Sequence, residues 1–250
     1  MKSRIRLIFE TVFLAVLFIP DLLDPLLRFL FPGAGEWVFP RSSLISLTAV
    51  HLLISLSAGA AAGIIGVLLG IAVTRPAGRE FLPLVRDLSS LAQTVPPAAV
   101  LALAVPFLGF GFKPVFLALV LYSILPVLNN TLTGLETLPE PVLEAAGGMG
   151  MSPFQVLMKV ELPLALPIIG TGIRISVVIN VGTAVIAALA GAGGLGSPIV
   201  AGLIRNNPAW VFQGAMASAL LALILNALLE EAEHRLGSRG AELLSGNQQG

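Results

Sequence analysis

The sequence predicts an all-α membrane protein of about six transmembrane helices, an N-terminal anchor helix followed by a five-helix core. Three observations carry this. Hydrophobic residues make up 56% of the 250-residue chain and charged residues 11%. A soluble domain carries about 25% charged residues, so this chain has too little charge to cover a water-facing surface. The apolar residues fall in long unbroken runs near the ~20 residues needed to cross a ~30 Å hydrocarbon core, without the strict alternation of a transmembrane barrel. Finally, Lys and Arg divide unequally between the loops at the two ends of those runs.

The spans follow in order. The first covers about 7–31, interrupted by Glu10, Asp21 and Asp24, with Pro20 and Pro25 expected to kink it. Met1–Arg6 supplies a basic start, but no small-x-small cleavage site follows, so the segment reads as a retained anchor. The others cover about 44–74, 82–107, 113–135, 164–190 and 209–229. The expected division is therefore 1–43 as anchor helix and outer loop, 44–236 as the core, and 237–250 as a flexible tail. With the N-terminus in the cytoplasm, nine basic residues lie inside (Lys2, Arg4, Arg6, Arg75, Arg79, Arg86, Lys159, Arg235, Arg239). Four lie outside (Arg28, Arg41, Lys113, Arg205), and Arg174 sits within a span. Both termini are then cytoplasmic.

Composition also excludes functions. The 14 basic and 14 acidic residues cancel, leaving no basic footprint for nucleic acid. There is no Cys, so disulfides, thiolate nucleophiles and Cys-ligated metals are ruled out. His51 and His234 are far apart and read as interfacial side chains rather than metal ligands or catalysts. No Gly is followed by Lys, so there is no P-loop and no ATP phosphate cradle of that kind.

Residues 136–163 stand apart. Glu136, Glu140, Glu144, Lys159 and Glu161 make this the most polar stretch between two spans. Pro139, Glu140 and Pro141 suit a first helical turn, Gly147, Gly148 and Gly150 would end that helix, and Ser152-Pro153 would cap the start of a second. Two short helices meeting at a glycine turn form a lateral elbow, suited either to docking in a partner's groove or to lying on the bilayer.

The elbow carries a resemblance. Glu144-Ala145-Ala146, Gly150 and Leu162-Pro163 resemble the EAA motif of permease subunits of type I ABC importers. Ala92-Gln93-Thr94-Val95-Pro96, Leu108–Pro114, Gly172-Ile173-Arg174, Val178–Ala184 and Gly191–Gly196 are similar to the osmoprotectant branch of that family, for glycine betaine, choline or carnitine. Asn226 departs from it, standing where Asp is frequent, as do Gly148 in the elbow and Pro97 after Pro96. The resemblance implies a multi-pass protein of a bacterial-type cytoplasmic membrane. It implies that Glu144, Ala145, Ala146, Gly150, Leu162 and Pro163 couple to a cytoplasmic ATPase. Expected partners are two ATPase subunits, a second permease copy or paralogue, an extracytoplasmic binding protein and the lipid bilayer. ATP and Mg would be held by the ATPase subunits, with no cofactor, metal or catalytic residue on this chain. The absence of a fused binding domain is likewise an expectation, and an aromatic cage for a quaternary ammonium group would sit mainly on the partner.

Other features bear on a pathway. Ser176, Asn180, Thr183 and Ala187 fall within a ~60° sector of the fifth span, a stripe that either lines a wet cavity or bonds a neighbouring helix. Tyr122, Pro126, Asn129, Asn130 and Thr133 share a face of the fourth. The candidate pathway residues are Gln93, Thr94, Tyr122, Asn129, Asn130, Ser176, Asn180 and Thr183. Gly59, Gly63, Gly66 and Gly70 lie along one face of the second span, suiting close helix packing. Arg174 is an intramembrane ion, read first as tying the fifth span to the elbow. Gly191-x-Gly193-x-x-Gly196 matches a dinucleotide fingerprint letter for letter but lacks the preceding strand and the following acid. It reads as a tight outer turn in which Gly193, Gly194 and Gly196 are structural or gating. The competing functions are an ABC permease for an amino acid or amphipathic organic acid, an ion-coupled carrier, for which deep acids are lacking, and an intramembrane Ser197–His51 enzyme without a nucleophile motif.

Overall fold

The computed structural model describes residues 19–245, side chains excepted at 20–22, 92 and 234–245. The basic start and the first part of the anchor lie outside the described residues. Every element among them is helical. Helix α1 (Pro20–Leu30) begins at Pro20 instead of being kinked there, because a proline at the first helical position lacks only an N–H that has no partner anyway. Helix α2 (Leu44–Thr74) is capped by the Ser43 side chain, which accepts from Ser46 N at 3.3 Å.

The expected third span is two helices, α3 (Leu82–Thr94) and α4 (Pro97–Leu108). The break is local chemistry. Pro96 drives Val95 out of the helical region, to ψ 121°, and Pro97 then restarts a helix at its first turn. Helix α5 (Phe112–Glu136) follows. The elbow is α6 (Glu140–Gly148) and α7 (Pro153–Val156), joined through a π turn at Leu157–Glu161 to α8 (Leu162–Thr183) and its 3₁₀ extension Ala184–Ala190. Helices α9 (Gly196–Ile204) and α10 (Pro208–Ser245) complete the described residues, and the part of the expected tail among them continues α10.

Four helical stretches are long and apolar enough to cross a membrane: Leu44–Thr74, Phe112–Glu136, Pro153–Ala190 and Pro208–Glu233. Their flanks are apolar and uncovered, as at Leu53, Ile64 and Leu223. Helices α2, α5 and α8 pack mutually at the centre, and α10 packs on α8 and α9. Glycines on α2 set the spacing: a Cβ on Gly59 would come within 3.0 Å of Val177 on α8, while one on Gly66 would meet Val127 on α5 at 2.8 Å. The small-residue face thus serves two neighbours.

The bundle has two distinct ends. One carries the elbow with the ends of α2 and α5. The other, the far end, carries loop 31–43 and the 191–207 segment. There Phe39 meets Trp210 edge-on at 5.3 Å between ring centroids. Gln213 accepts from Phe39 N at 3.2 Å and donates to the Trp37 carbonyl, fixing the loop to α10.

Candidate functional site

The elbow is built from two well-terminated helices. Glu140 and Pro141 occupy the first turn of α6. At its end Gly150 takes a left-handed φ of +76°, with Met151 N donating to Ala146 O at 3.2 Å and Gly150 N to Gly147 O at 2.9 Å. This is a Schellman cap, which uses a residue free of a Cβ penalty at positive φ. Space is not the constraint, since a Cβ on Gly150 would meet nothing within 4 Å. Across the turn, Ser152 and Gln155 form a reciprocal capping box, with Ser152 N donating to Gln155 Oε1 at 2.8 Å and Gln155 N to Ser152 Oγ at 3.3 Å.

Ala146 is buried, whereas Glu144 and Ala145 face outward. The sequence reading missed Met149, 74% exposed, and Phe154, 70% exposed. Their signal was available: two large apolar residues inside an otherwise polar, non-spanning segment. The elbow therefore exposes the apolar side chains of Met149 and Phe154 as well as the Glu140 and Glu144 carboxylates.

The elbow is tied to the spans at its base. Glu161, on the π turn, is nearly buried, with Arg75 Nη2 at 2.7 Å from its Oε2. The guanidinium N–H directions do not align on that oxygen, so the contact is a close ion pair rather than a hydrogen bond. Arg75 caps the C-terminus of α2, where a cation also complements the helix dipole. Glu136, closing α5, pairs with Arg86 of α3 at 3.3 Å in the open. Leu162 and Pro163 begin α8 directly above Glu161, Leu162 half-buried and Pro163 exposed. The base of the elbow is thus joined to both α2 and α8.

Arg174 lies elsewhere than expected. Its Nε donates to both Glu233 oxygens, at 3.0 and 3.1 Å, and its Nη1 to Asn226 Oδ1 at 3.1 Å. It ties α8 to α10, not to the elbow, because its acceptors Asn226 and Glu233 stand seven residues apart, about two turns, on one face of α10. Asn226 retains the acceptor oxygen that an Asp would offer.

The candidate pathway residues separate. Ser176 and Asn180 are fully buried between helices, while Thr183 is half-buried. Asn180 contacts Ser123 Oγ at 3.1 Å. Its hydrogen-bonding surroundings orient the amide oxygen to Gly59 N at 3.0 Å and the amide nitrogen to Leu119 O at 3.2 Å, joining α2, α5 and α8. Asn130 donates to Pro126 O of its own helix at 2.8 Å, and Asn129 is exposed. Gln93 donates to Tyr122 O at 3.0 Å, holding the end of α3 against α5, and Thr94 bonds back to Leu91 O at 2.7 Å.

At the far end Gly191, Gly193 and Gly194 have φ of +72°, +83° and +79°, while Gly196 is required for a different reason, as its Cβ would overlap the Val185 carbonyl. His51, expected at the interface, is fully buried. Its Nε2 faces Val181 O at 2.8 Å and its Nδ1 faces Leu195 N at 3.3 Å. Both ring nitrogens are engaged by backbone, so His51 holds the glycine turn on α2 and makes no bond to Ser197. Helices flank the turn on both sides, contrary to the strand a dinucleotide fingerprint requires.

Comparisons with known proteins bear on the fold and the family. The family described as binding-protein-dependent transport system inner membrane component matches residues 62–237. An osmoprotectant import permease protein of Salmonella typhimurium is 42% identical over 193 residues, covering 77% of this chain and 82% of that protein. A glycine betaine/carnitine/choline transport system permease protein of Bacillus subtilis is 36% identical over 220 residues, covering 88% and 97%. Among solved structures, a chain of the MetNI methionine ABC transporter in an inward-facing conformation superposes with a TM-score of 0.65 at 23% identity, covering 79% of this chain and 95% of that one. That likeness shows the fold. The family match spans α5, the elbow, α8 and α9 whole, and the chain belongs to the binding-protein-dependent transport system inner membrane component family.

Proposed function

We propose that this chain is the permease subunit of an ATP-driven importer, forming the translocation pathway for a small compatible solute such as glycine betaine, choline or carnitine. The substrate class rests on the relatives named for osmoprotectant, betaine, carnitine and choline transport. The observation that carries the mechanism is the elbow, two capped helices exposing Met149, Phe154, Glu140 and Glu144, with an ion-paired base leading into α2 and α8. Two ATPase subunits holding ATP and Mg receive the elbows of two permease chains, identical or paralogous. An extracytoplasmic binding protein delivers solute at the far end. ATP-driven approach of the ATPases shifts the population of two pore states, and the elbow passes that motion on through Glu161 to α2 and α8. Gln93, Thr94, Tyr122, Asn129, Asn130, Ser176, Asn180 and Thr183 border the moving helices, and Gly193, Gly194 and Gly196 shape the outer turn.

The test separates the cap from the fold. Gly150→Val forces a β-branched residue into a left-handed geometry that costs roughly 1–2 kcal/mol, whereas Gly150→Asn tolerates it. With the ATPase and binding protein co-expressed, Gly150→Val is expected to lose solute uptake while still inserting in the membrane, and Gly150→Asn to keep most of it. Undiminished uptake by Gly150→Val, or failure of an ATPase subunit to co-purify with the unaltered chain, would refute the reading.

A further inference from the structure

Pro126 stands near the middle of the 25-residue α5. Having no N–H, it leaves the Tyr122 carbonyl, one turn back, without its helical donor. Gln93 supplies the missing bond, its Nε2 donating to Tyr122 O at 3.0 Å. Gln93 is the penultimate residue of α3, just before the break at Val95–Pro96. Toward α8 the same stretch of α5 is packed without slack: a Cβ on Gly172 would come within 2.9 Å of Pro126 O, and Ser123 contacts the buried Asn180. Toward α3 the hold at this depth is a half-buried amide. Leu84, Leu88 and Leu91 of α3 are exposed, and its apolar contacts with α5, Leu82 and Val85 against Leu128 and Leu132, lie nearer the elbow. The break is non-helical backbone inside a segment of spanning length, with Thr94, Val95 and Pro96 exposed. Lipid offers nothing to the carbonyls that end α3, so this stretch faces water or protein.

We propose that Gln93 is a positioning residue for translocation, an inference that rests on the functional reading above: its amide replaces the N–H that Pro126 lacks, and that bond is the releasable tie holding the α3–α4 break against α5 at the border of the pathway. A backbone N–H at position 126 would close the Tyr122 carbonyl permanently within α5. A side-chain donor closes it only while α3 is in place. When the break moves, the carbonyl takes a water from the pathway instead, at little enthalpic cost. The kink in α5 and the break between α3 and α4 thus form one joint, fixed by α8 and clasped by Gln93. Without the amide, Tyr122 O is left unpaired in the clasped position. The joint then no longer favours that position, and ATP hydrolysis runs on without matched solute passage.

The experiment reads ATP hydrolysis and uptake of glycine betaine, choline or carnitine by the assembled transporter in proteoliposomes, in a cycle of Gln93→Met, Pro126→Ala and both together. Gln93→Met keeps length and bulk but removes the donor, and is expected to raise the ATP consumed per solute imported by about threefold or more, the scale of one hydrogen bond. Pro126→Ala returns the N–H, so adding Gln93→Met to it should change that ratio by less than about twofold. Melting temperature should follow the same pattern, falling further for Gln93→Met alone than for the same change made on Pro126→Ala. If Gln93→Met does not accumulate in the membrane, the double variant is expected to, and its failure to do so overturns the tie. Equal damage by Gln93→Met with and without Pro126 also overturns it, since the amide would not be answering that proline. A lowered melting temperature with an unchanged ATP-to-solute ratio makes the bond a plain structural one and overturns the positioning role. An unaltered chain that imports no solute with its ATPase and binding protein removes the functional reading and the translocation role with it, and the melting-temperature cycle then decides the pairing of Gln93 with Pro126 by itself.

Discussion

Arg174 shows how a single charge is accommodated inside the bundle. Its guanidinium is about one-quarter exposed, with 23% side-chain accessibility against 18% for Glu233, and it meets three acceptor atoms on one face of α10. Removing one partner from such a partly buried pair costs more than the pair itself contributes, because the remaining charge loses its neutralising group. Glu233→Gln is therefore expected to lower the melting temperature of the detergent-purified protein, at a cost of about 1–3 kcal/mol, below the 3–5 kcal/mol of a fully buried pair since water still reaches it. Arg174→Met with Glu233→Met should be milder than either single change. A double variant as damaging as the sum of the singles would show that the two side chains are not coupled. The pairing was hidden from the sequence because Glu233 and Arg174 are 59 residues apart, and neither position announces which of the acids near the end of α10 faces α8.

At the scale of elements, the glycines of α2 give a graded test. A Cβ on Gly63 would approach Ile173 only to 3.9 Å, an ordinary contact, while one on Gly66 would lie 2.8 Å from Val127 Cβ and 3.2 Å from the Ile124 carbonyl. Gly63→Ala is thus expected to express and melt as the unaltered chain does. Gly66→Ala has to push α2 from α5 and should lower stability by about 1–3 kcal/mol, the range for overpacking, read by melting temperature. Equal effects at both positions would contradict this packing. The spacing of these glycines was legible as a packing face, but not that the face divides between α8 at Gly59 and α5 at Gly66. The broken third span is a different failure. The residues preceding and following the break, Val95 and Pro96-Pro97, state it in backbone terms, yet the hydropathy of Leu101–Val105 runs on without interruption and reads as one helix. The helix ends of the elbow were legible, because Ser152 and Gly150 act through local hydrogen bonds and local φ rather than through distant partners, whereas the exposure of Met149 and Phe154 was not read.

For the whole molecule, the distribution of the few charges orients the bundle. The elbow end gathers Arg75, Arg79, Arg86 and Lys159, and the far end Arg41, Lys113 and Arg205. By the rule that short cytoplasmic loops hold the excess of Lys and Arg, the elbow is expected to lie inside, within reach of the ATPase subunit proposed above. Because the chain has no Cys, single cysteines report position against a silent background. Gly147 on the elbow and Gly35 in the far-end loop are both exposed, and a Cβ at either meets nothing within 4 Å, so neither substitution disturbs packing. In intact cells a membrane-impermeant maleimide is expected to label Gly35→Cys and leave Gly147→Cys untouched, with labelling of Gly147→Cys appearing only in inverted vesicles. The opposite pattern would turn the bundle over. It would put Met149 and Phe154 on the wrong side for the ATP-driven coupling proposed above. The orientation is thus the premise on which both ends of the molecule acquire their roles, and a pair of labelling reactions decides it.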